Sequence, residues 1–258
     1  YSNRRPGGIS DDDLSTTATR RIFIEEIFPQ QDIVQGQSLV QYTFDLAYYP
    51  KEKGPYNYES DPSKLNSDGK FLDPKSKYGG LMRNIDQPDF ETGNIEFIEF
   101  WVQDPFILPQ LSNSSGGKLY FNLGNISEDV LKDGKRFYEN GLSTPNAPSP
   151  VDSTIWGKVP RNPIQVTNAF SNVPSDRQFQ DIGFDGITDA EEASVRSDYL
   201  NQIATAYGTS SAAYLKAAAD PSSDDFRHYR DERFTASDGI LSRYKNFNGP
   251  EGNSPIAN

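Results

Sequence analysis

Two short runs of apolar residues set the limits on what this chain can fold into. One lies within GGLMRNIDQPDFETGNIEFIEFWVQDPF, from Gly79 to Phe106, and the other within GKLYFNLGNISEDVL, from Gly117 to Leu131. Both are bounded by Gly, Pro, Asn and Asp, the pattern of strands in a packed sheet. From Ile95 to Val102, Phe97 and Trp101 face one way and Ile98, Phe100 and Val102 the other, interrupted by Glu96 and Glu99. A strand covered on both faces belongs near the middle of a sandwich. Leu119, Phe121 and Leu123 then alternate with Tyr120 and Asn122 after the turn Asn113-Ser114-Ser115-Gly116-Gly117, which predicts antiparallel pairing of the two runs. No nucleophile and base pair, cofactor loop or metal cage interrupts them, so they point to a recognition or scaffold surface.

Further strand signals precede them. Arg20 to Phe28 carries apolar residues on both faces, and Leu39 to Tyr48 alternates cleanly, with Val40, Tyr42, Phe44, Leu46 and Tyr48 on one side. That ten-residue alternation also suits a strand of a transmembrane barrel. Tyr49 to Pro74 reads as a long connection whose tyrosines pack on a neighbour, and Leu142 to Pro163, rich in Pro, Ser, Thr and Asn, reads as a change of architecture. Beyond it, Asp189 to Tyr207 has a possible capping box in Asp189 and Glu192 and an apolar stripe in Val195, Tyr199, Ile203 and Tyr207. An Ala-rich helix from Ser210 to Ala219 is stopped by Asp220-Pro221. The expected fold is α+β: an irregular N-terminal arm over 1–19, an antiparallel jelly-roll-like β-sandwich of the galactose-binding kind over 20–157, and a loop-rich helical C-terminal portion over 158–258.

Composition narrows the function classes. A net charge of -12 disfavours nucleic acid, which needs clustered Lys and Arg, and disfavours anionic lipid as well. No window approaches the length of an apolar spanning helix, so the segment itself is not expected to span a membrane as a helix. With 20 Gly and 18 Pro, long connections should separate short ordered elements. Cysteine is absent, which removes disulfides and thiolate chemistry. The chain begins at Tyr1 and shows no signal-sequence pattern, leading to the expectation that it is a piece of a longer polypeptide.

Catalytic constellations are not evident. His228 is the single histidine, and no Gly-x-Ser-x-Gly elbow, P-loop or Gly-x-Gly-x-x-Gly fingerprint accompanies it, so no catalytic residue is assigned and the chain is expected not to be an enzyme. Glu96 and Glu99 fall on opposite faces of one strand and cannot work as a glycosidase pair. Asp11, Asp12 and Asp13 read as a solvated acidic turn. The sharpest chemical pattern is Asp181-Ile-Gly-Phe-Asp185-Gly186-Ile-Thr-Asp189-Ala-Glu-Glu192. It matches a calcium-binding loop through Asp181, Asp185, Asp189 and Glu192, with Gly186 at the sharp turn, but Gly183 replaces an oxygen donor and Thr188 the usual apolar residue. A Gly-containing turn feeding the cap of a helix explains the same residues without an ion. No other cofactor is expected. Exposed rings such as Trp101, Tyr120 or Trp156 could instead stack on sugars, as in a carbohydrate-binding module, although buried core aromatics are the commoner use.

The phrases DLAYYPKEKGPYNY, GGLMRNIDQPDFETGNIEFIEFWVQDPF, GKLYFNLGNISEDVLKDGKRFYENGL, IWGKVPRNPIQVTNAFSN and QDIGFDGITDAEE cover most of Asp45 to Ser194. Together they resemble an internal part of the SprA (Sov) family of gliding-motility proteins. The resemblance implies a non-enzymatic segment of the large outer-membrane β-barrel translocon of type IX secretion, through which folded cargo leaves the cell. It implies as partners the rest of the same translocon chain, its associated secretion proteins and secreted cargo. It implies a soluble portion facing the periplasm or the cell surface. A carbohydrate-binding module and a calcium-stabilised surface domain are the alternatives.

Overall fold

Regular structure is densest where the sequence carries a four-residue apolar period. The computed structural model describes residues 5–54, 59–81, 85–86, 89–107, 116–125, 134, 143–145, 148–161, 173–179, 183, 185–225 and 227–246. After two one-turn helices nearer the N-terminus, α1 (Asp11–Leu14) and α2 (Ile24–Ile27), three consecutive helices, α3 (Asp189–Val195), α4 (Ser197–Tyr207) and α5 (Ala212–Ala219), follow one another there. The Thr188 hydroxyl accepts from the Glu191 amide at 3.5 Å and the Glu191 carboxylate accepts from the Thr188 amide at 3.2 Å. The capping box therefore begins one residue before the Asp189 and Glu192 pair read from the sequence. The Ser211 hydroxyl caps α5 by accepting from the Tyr214 amide at 3.1 Å, and Asp220 ends it ahead of Pro221.

Tyr199 and Ile203 of α4 and Ala213 and Ala217 of α5 are buried together with Leu65 and Phe71. The stripe is buried only through its middle, since Val195 is 55% exposed. Leu65 and Phe71 form an antiparallel bridge, closed by a turn in which the Asn66 side chain accepts from the amides of Asp68 and Lys70 at 3.0 and 2.9 Å. Gly69 has φ +74, and a Cβ there would lie 3.2 Å from the Ala213 Cα. Both the backbone conformation and the close approach of α5 call for glycine. The Tyr207 hydroxyl reaches the carbonyls of Pro62 and Leu65 at 2.8 and 2.5 Å. The long connection from Tyr49 is thus packed on α4 and α5 chiefly through an aliphatic and a phenyl side chain.

The expected sandwich is not present. Among the described residues the strands form two antiparallel pairs, β1 (Ile22–Phe23) with β2 (Val40–Gln41) and β3 (Val151–Ser153) with β4 (Lys158–Pro160), beside isolated bridge residues such as Leu65 and Phe71. The run read as a first strand turns instead into a one-turn helix, α2 (Ile24–Ile27), where the Glu26 carboxylate accepts from the Phe23 amide at 3.0 Å and pairs with Arg20 at 2.9 Å. Residues 42–48, 95–104 and 117–123 lie in neither a helix nor a strand pair. Phe100 and Phe121 bring their ring centroids within 4.7 Å, so the two strongest runs meet through side chains and not through a ladder. Alternation specifies which residues would share a face, while pairing needs a neighbouring backbone in register.

Two compact units divide the chain: Tyr1–Leu46, Gly80–Ile126 and Ala236–Leu241 in one, and Ala47–Gly79, Ser127–Thr235 and Ser242–Asn258 in the other. In the first, α1 (Asp11–Leu14) is capped by Ser10, and the Asp13 carboxylate accepts from the Ile240 amide at 2.7 Å, at the start of α6 (Ile240–Tyr244). The acidic triplet thus forms a helical turn that is tied down at one end. The second unit holds the core of α4 and α5. No helix among the described residues is long and apolar enough to cross a membrane.

Truncating the fully buried Ile203 leaves a cavity between α4, α5 and the Leu65 to Phe71 turn. Ile203→Ala is expected to lower unfolding stability by about 2–5 kcal/mol, read from urea melts followed by circular dichroism.

Candidate functional site

The charged side chains that the fold buries together lie within the second unit, beside the helical core. Asp185 sits in the turn ahead of α3, Glu192 on the inner face of α3, and Asp224 in the loop that follows α5. All three are buried, and one carboxylate oxygen from each lies within 4.8 Å of the others. The loop from Asp220 to Asp225 is shaped by its own side chains. Asp220 accepts from the Asp224 and Asp225 amides at 3.1 and 3.4 Å, Pro221 is buried, and Ser223 takes φ +61.

Backbone donors hold the carboxylates in place. The Asp185 amide donates to Asp224 at 2.7 Å, the Ile187 amide to Asp185 at 3.0 Å, and the Ser222 amide to Glu192 at 3.0 Å, while the Ser222 hydroxyl donates to Asp185 at 2.6 Å. Two glycines make room. Gly183 has φ +96, and a Cβ on it would come within 3.0 Å of the Asp224 carboxylate. A Cβ on Gly157, in the connection between β3 and β4, would collide with the Asp185 carbonyl, which accepts from the Lys158 amide at 2.8 Å.

Burial governs the electrostatics. Removal from water pushes the Glu192 carboxyl up to about 9, reinforced by the charges of Asp224 and Asp185. The same desolvation raises Asp185 to about 6 against the Ser222 and Ile187 hydrogen bonds, and it raises Asp220 too. Two cations face the group. Lys53 lies 4.0 Å above the Tyr199 ring and donates to the Pro221 carbonyl at 3.4 Å, and burial draws its amine down to about 7 against the pull of Asp220. Arg196 donates to the Trp156 carbonyl at 3.1 Å, stacks over that indole at 5.3 Å, and favours the charged form of Asp185.

Of the four residues singled out in the sequence, Asp185 and Glu192 come together here. Asp189 is exposed at the first position of α3, outside the converging group, and Asp181 lies outside the described residues. The sequence reading missed Asp224 and Ser222, whose only local signal is the acidic, Pro-containing turn after an Ala-rich helix. His228 stacks on Tyr229 at 4.4 Å, and its Nδ1 accepts from the Arg230 amide at 3.2 Å. Trp101 and Tyr120 are strongly exposed, and Trp101 packs edge-on to Phe28, whereas Trp156 is half-buried under Arg196. Glu96 and Glu99 are both exposed.

Residues 198–258, which carry α4, α5, α6 and the Asp220 to Asp225 loop, match the family SprA_N, described as a motility related/secretion protein. The matched stretch follows the phrases on which the resemblance of the sequence rests, and it contains Ser222 and Asp224 but not Asp185 or Glu192. No curated protein matches the chain.

Glu192→Gln keeps an oxygen for the Ser222 amide and mimics the neutral acid. In chelator at pH 7 it is expected to stay within about 1 kcal/mol of the parent protein in urea melts, while Glu192→Ala, which orphans that amide and opens a void, costs about 2–4 kcal/mol.

Proposed function

We propose that this chain is a non-enzymatic structural and recognition segment of the outer-membrane translocon of type IX secretion, supporting export of folded cargo and gliding motility. The observation that carries the proposal is the match of residues 198–258 to a motility related/secretion family. The resemblance of the phrases between Asp45 and Ser194 to SprA proteins extends the same reading over much of the remaining chain.

A physical feature supports it. The segments 42–48, 95–104 and 117–123 present aromatic and aliphatic side chains to solvent, with Tyr42 83% and Trp101 70% exposed. Such segments leave apolar surface uncovered, and a neighbouring strand would cover it while pairing with their backbone. Barrels supply strands on every side without leaving an edge. In this reading the partners are strands of the same translocon polypeptide and its associated secretion proteins, with secreted cargo as the transported ligand. The unit built on α4 and α5 is then a water-facing portion on the periplasmic or cell-surface side. The charge of -12 fits water exposure and disfavours nucleic acid as a partner.

Two measurements in cells that make the parent polypeptide test this. A photo-crosslinking residue in place of Phe44 or Trp101 is expected to capture segments of the same polypeptide or secretion proteins. In-frame removal of residues 183–225 is expected to abolish cargo secretion and gliding while the parent stays in the outer membrane. Secretion and gliding at parental levels after that deletion would overturn the proposal.

A further inference from the structure

Four buried or half-buried carboxylates, those of Asp185, Glu192, Asp220 and Asp224, gather at one place, and the two cations facing them are Lys53 and Arg196. When all are ionised, two negative charges remain uncompensated in a site largely shielded from water. Burying charge without compensation is expensive, so the group must take up protons or a cation. The geometry favours the second. Glu192 is 1% exposed; its Oε2 takes the Ser222 amide, whereas its Oε1 is buried with no hydrogen-bond partner among the described residues. A fully buried carboxylate oxygen that no donor among the described residues reaches, beside two further buried carboxylates, has the surroundings of a cation ligand.

We propose that Asp185, Glu192 and Asp224 bind a calcium ion. Oxygens that each lie about 2.3–2.6 Å from one ion are separated by at most about 5 Å, and the three carboxylates here fall inside that span at 4.8 Å. The donor set is all oxygen, which selects a hard cation over zinc. Its members come from three separate segments and not from a preformed octahedral cage, which suits calcium better than magnesium, an ion that holds its waters. The arrangement is not the helix-loop-helix pattern in the sequence. Glu192 keeps its liganding place, but the third carboxylate arrives from the loop after α5. Ser222 positions two of the ligands, Asp185 through its hydroxyl and Glu192 through its amide. The ion would tie that loop to α3 and to the turn ahead of it, and this role stands apart from the export reading.

The test uses the 258-residue chain with calcium chloride as the probe, by calorimetric titration and by thermal melting in millimolar calcium against a chelator. Binding at one site and a melting temperature raised by calcium are expected, with a smaller effect of magnesium. Glu192→Gln and Asp224→Asn should retain the helical circular dichroism in chelator and weaken calcium binding roughly tenfold or more. No heat and no melting shift with calcium would overturn the proposal. An undiminished calcium response in both folded variants, or an equal response to magnesium, would overturn it as well.

Discussion

Ser222 holds the helical unit to its flanking segments. Its amide and hydroxyl donate to carboxylates on two different stretches, Glu192 on α3 and Asp185 in the turn before it. Those are among the few donors available to acids that the fold has removed from water, and a buried carboxylate without donors or counter-charge is among the least favourable groups a protein can contain. The loop can present both donors because Asp220 ties down its own downstream amides and Ser223 accepts a left-handed backbone. The end of α5, the turn at Asp185 and the face of α3 are therefore one cooperative arrangement, in which moving any segment exposes or orphans a charge on another.

This explains which parts of the site were legible in the sequence. Asp185 and Glu192 are seven residues apart, and a glycine turn followed by a helix start places both on one side of a local structure. Thr188 and Glu191 perform the capping, one residue out of step with the Asp189 and Glu192 pair, because a hydroxyl at that position serves as an N-cap and Asp189 is free to open the first turn. Asp224 could not be read in the same way. Its approach depends on the length of α4 and α5, on Gly183 leaving room for its carboxylate, and on the loop conformation, none of which leaves a spacing signature.

The fold was legible to the same depth. The stripe through Tyr199 and Ile203 and the Asp220-Pro221 stop are statements about one helix at a time, and they describe α4 and α5 well. Tyr49 to Pro74 looked like a tyrosine-rich connection, yet its anchoring residues are Leu65 and Phe71, since a tight Asn66 to Gly69 turn aims those two side chains at α5. The sandwich failed for a different reason. Phe97, Trp101, Leu119 and Phe121 alternate as strand residues do, but alternation is only half of a sheet. The other half is a partner backbone, and among the described residues the two runs share a ring contact between Phe100 and Phe121 but no strand pairing.

Those open runs also bear on the order in which the polypeptide is assembled. Contacts among Leu65, Ile203 and Ala213, and those joining Asp185 to Asp224, lie within one unit, and that unit can close on itself as soon as its own residues are available. Segments 42–48, 95–104 and 117–123 lie in no strand pair and leave Tyr42, Trp101 and Tyr120 strongly exposed, and exposed apolar surface of this kind invites association with another chain, including a copy of this one. Covering those rings therefore guards against self-association as well as adding contact area.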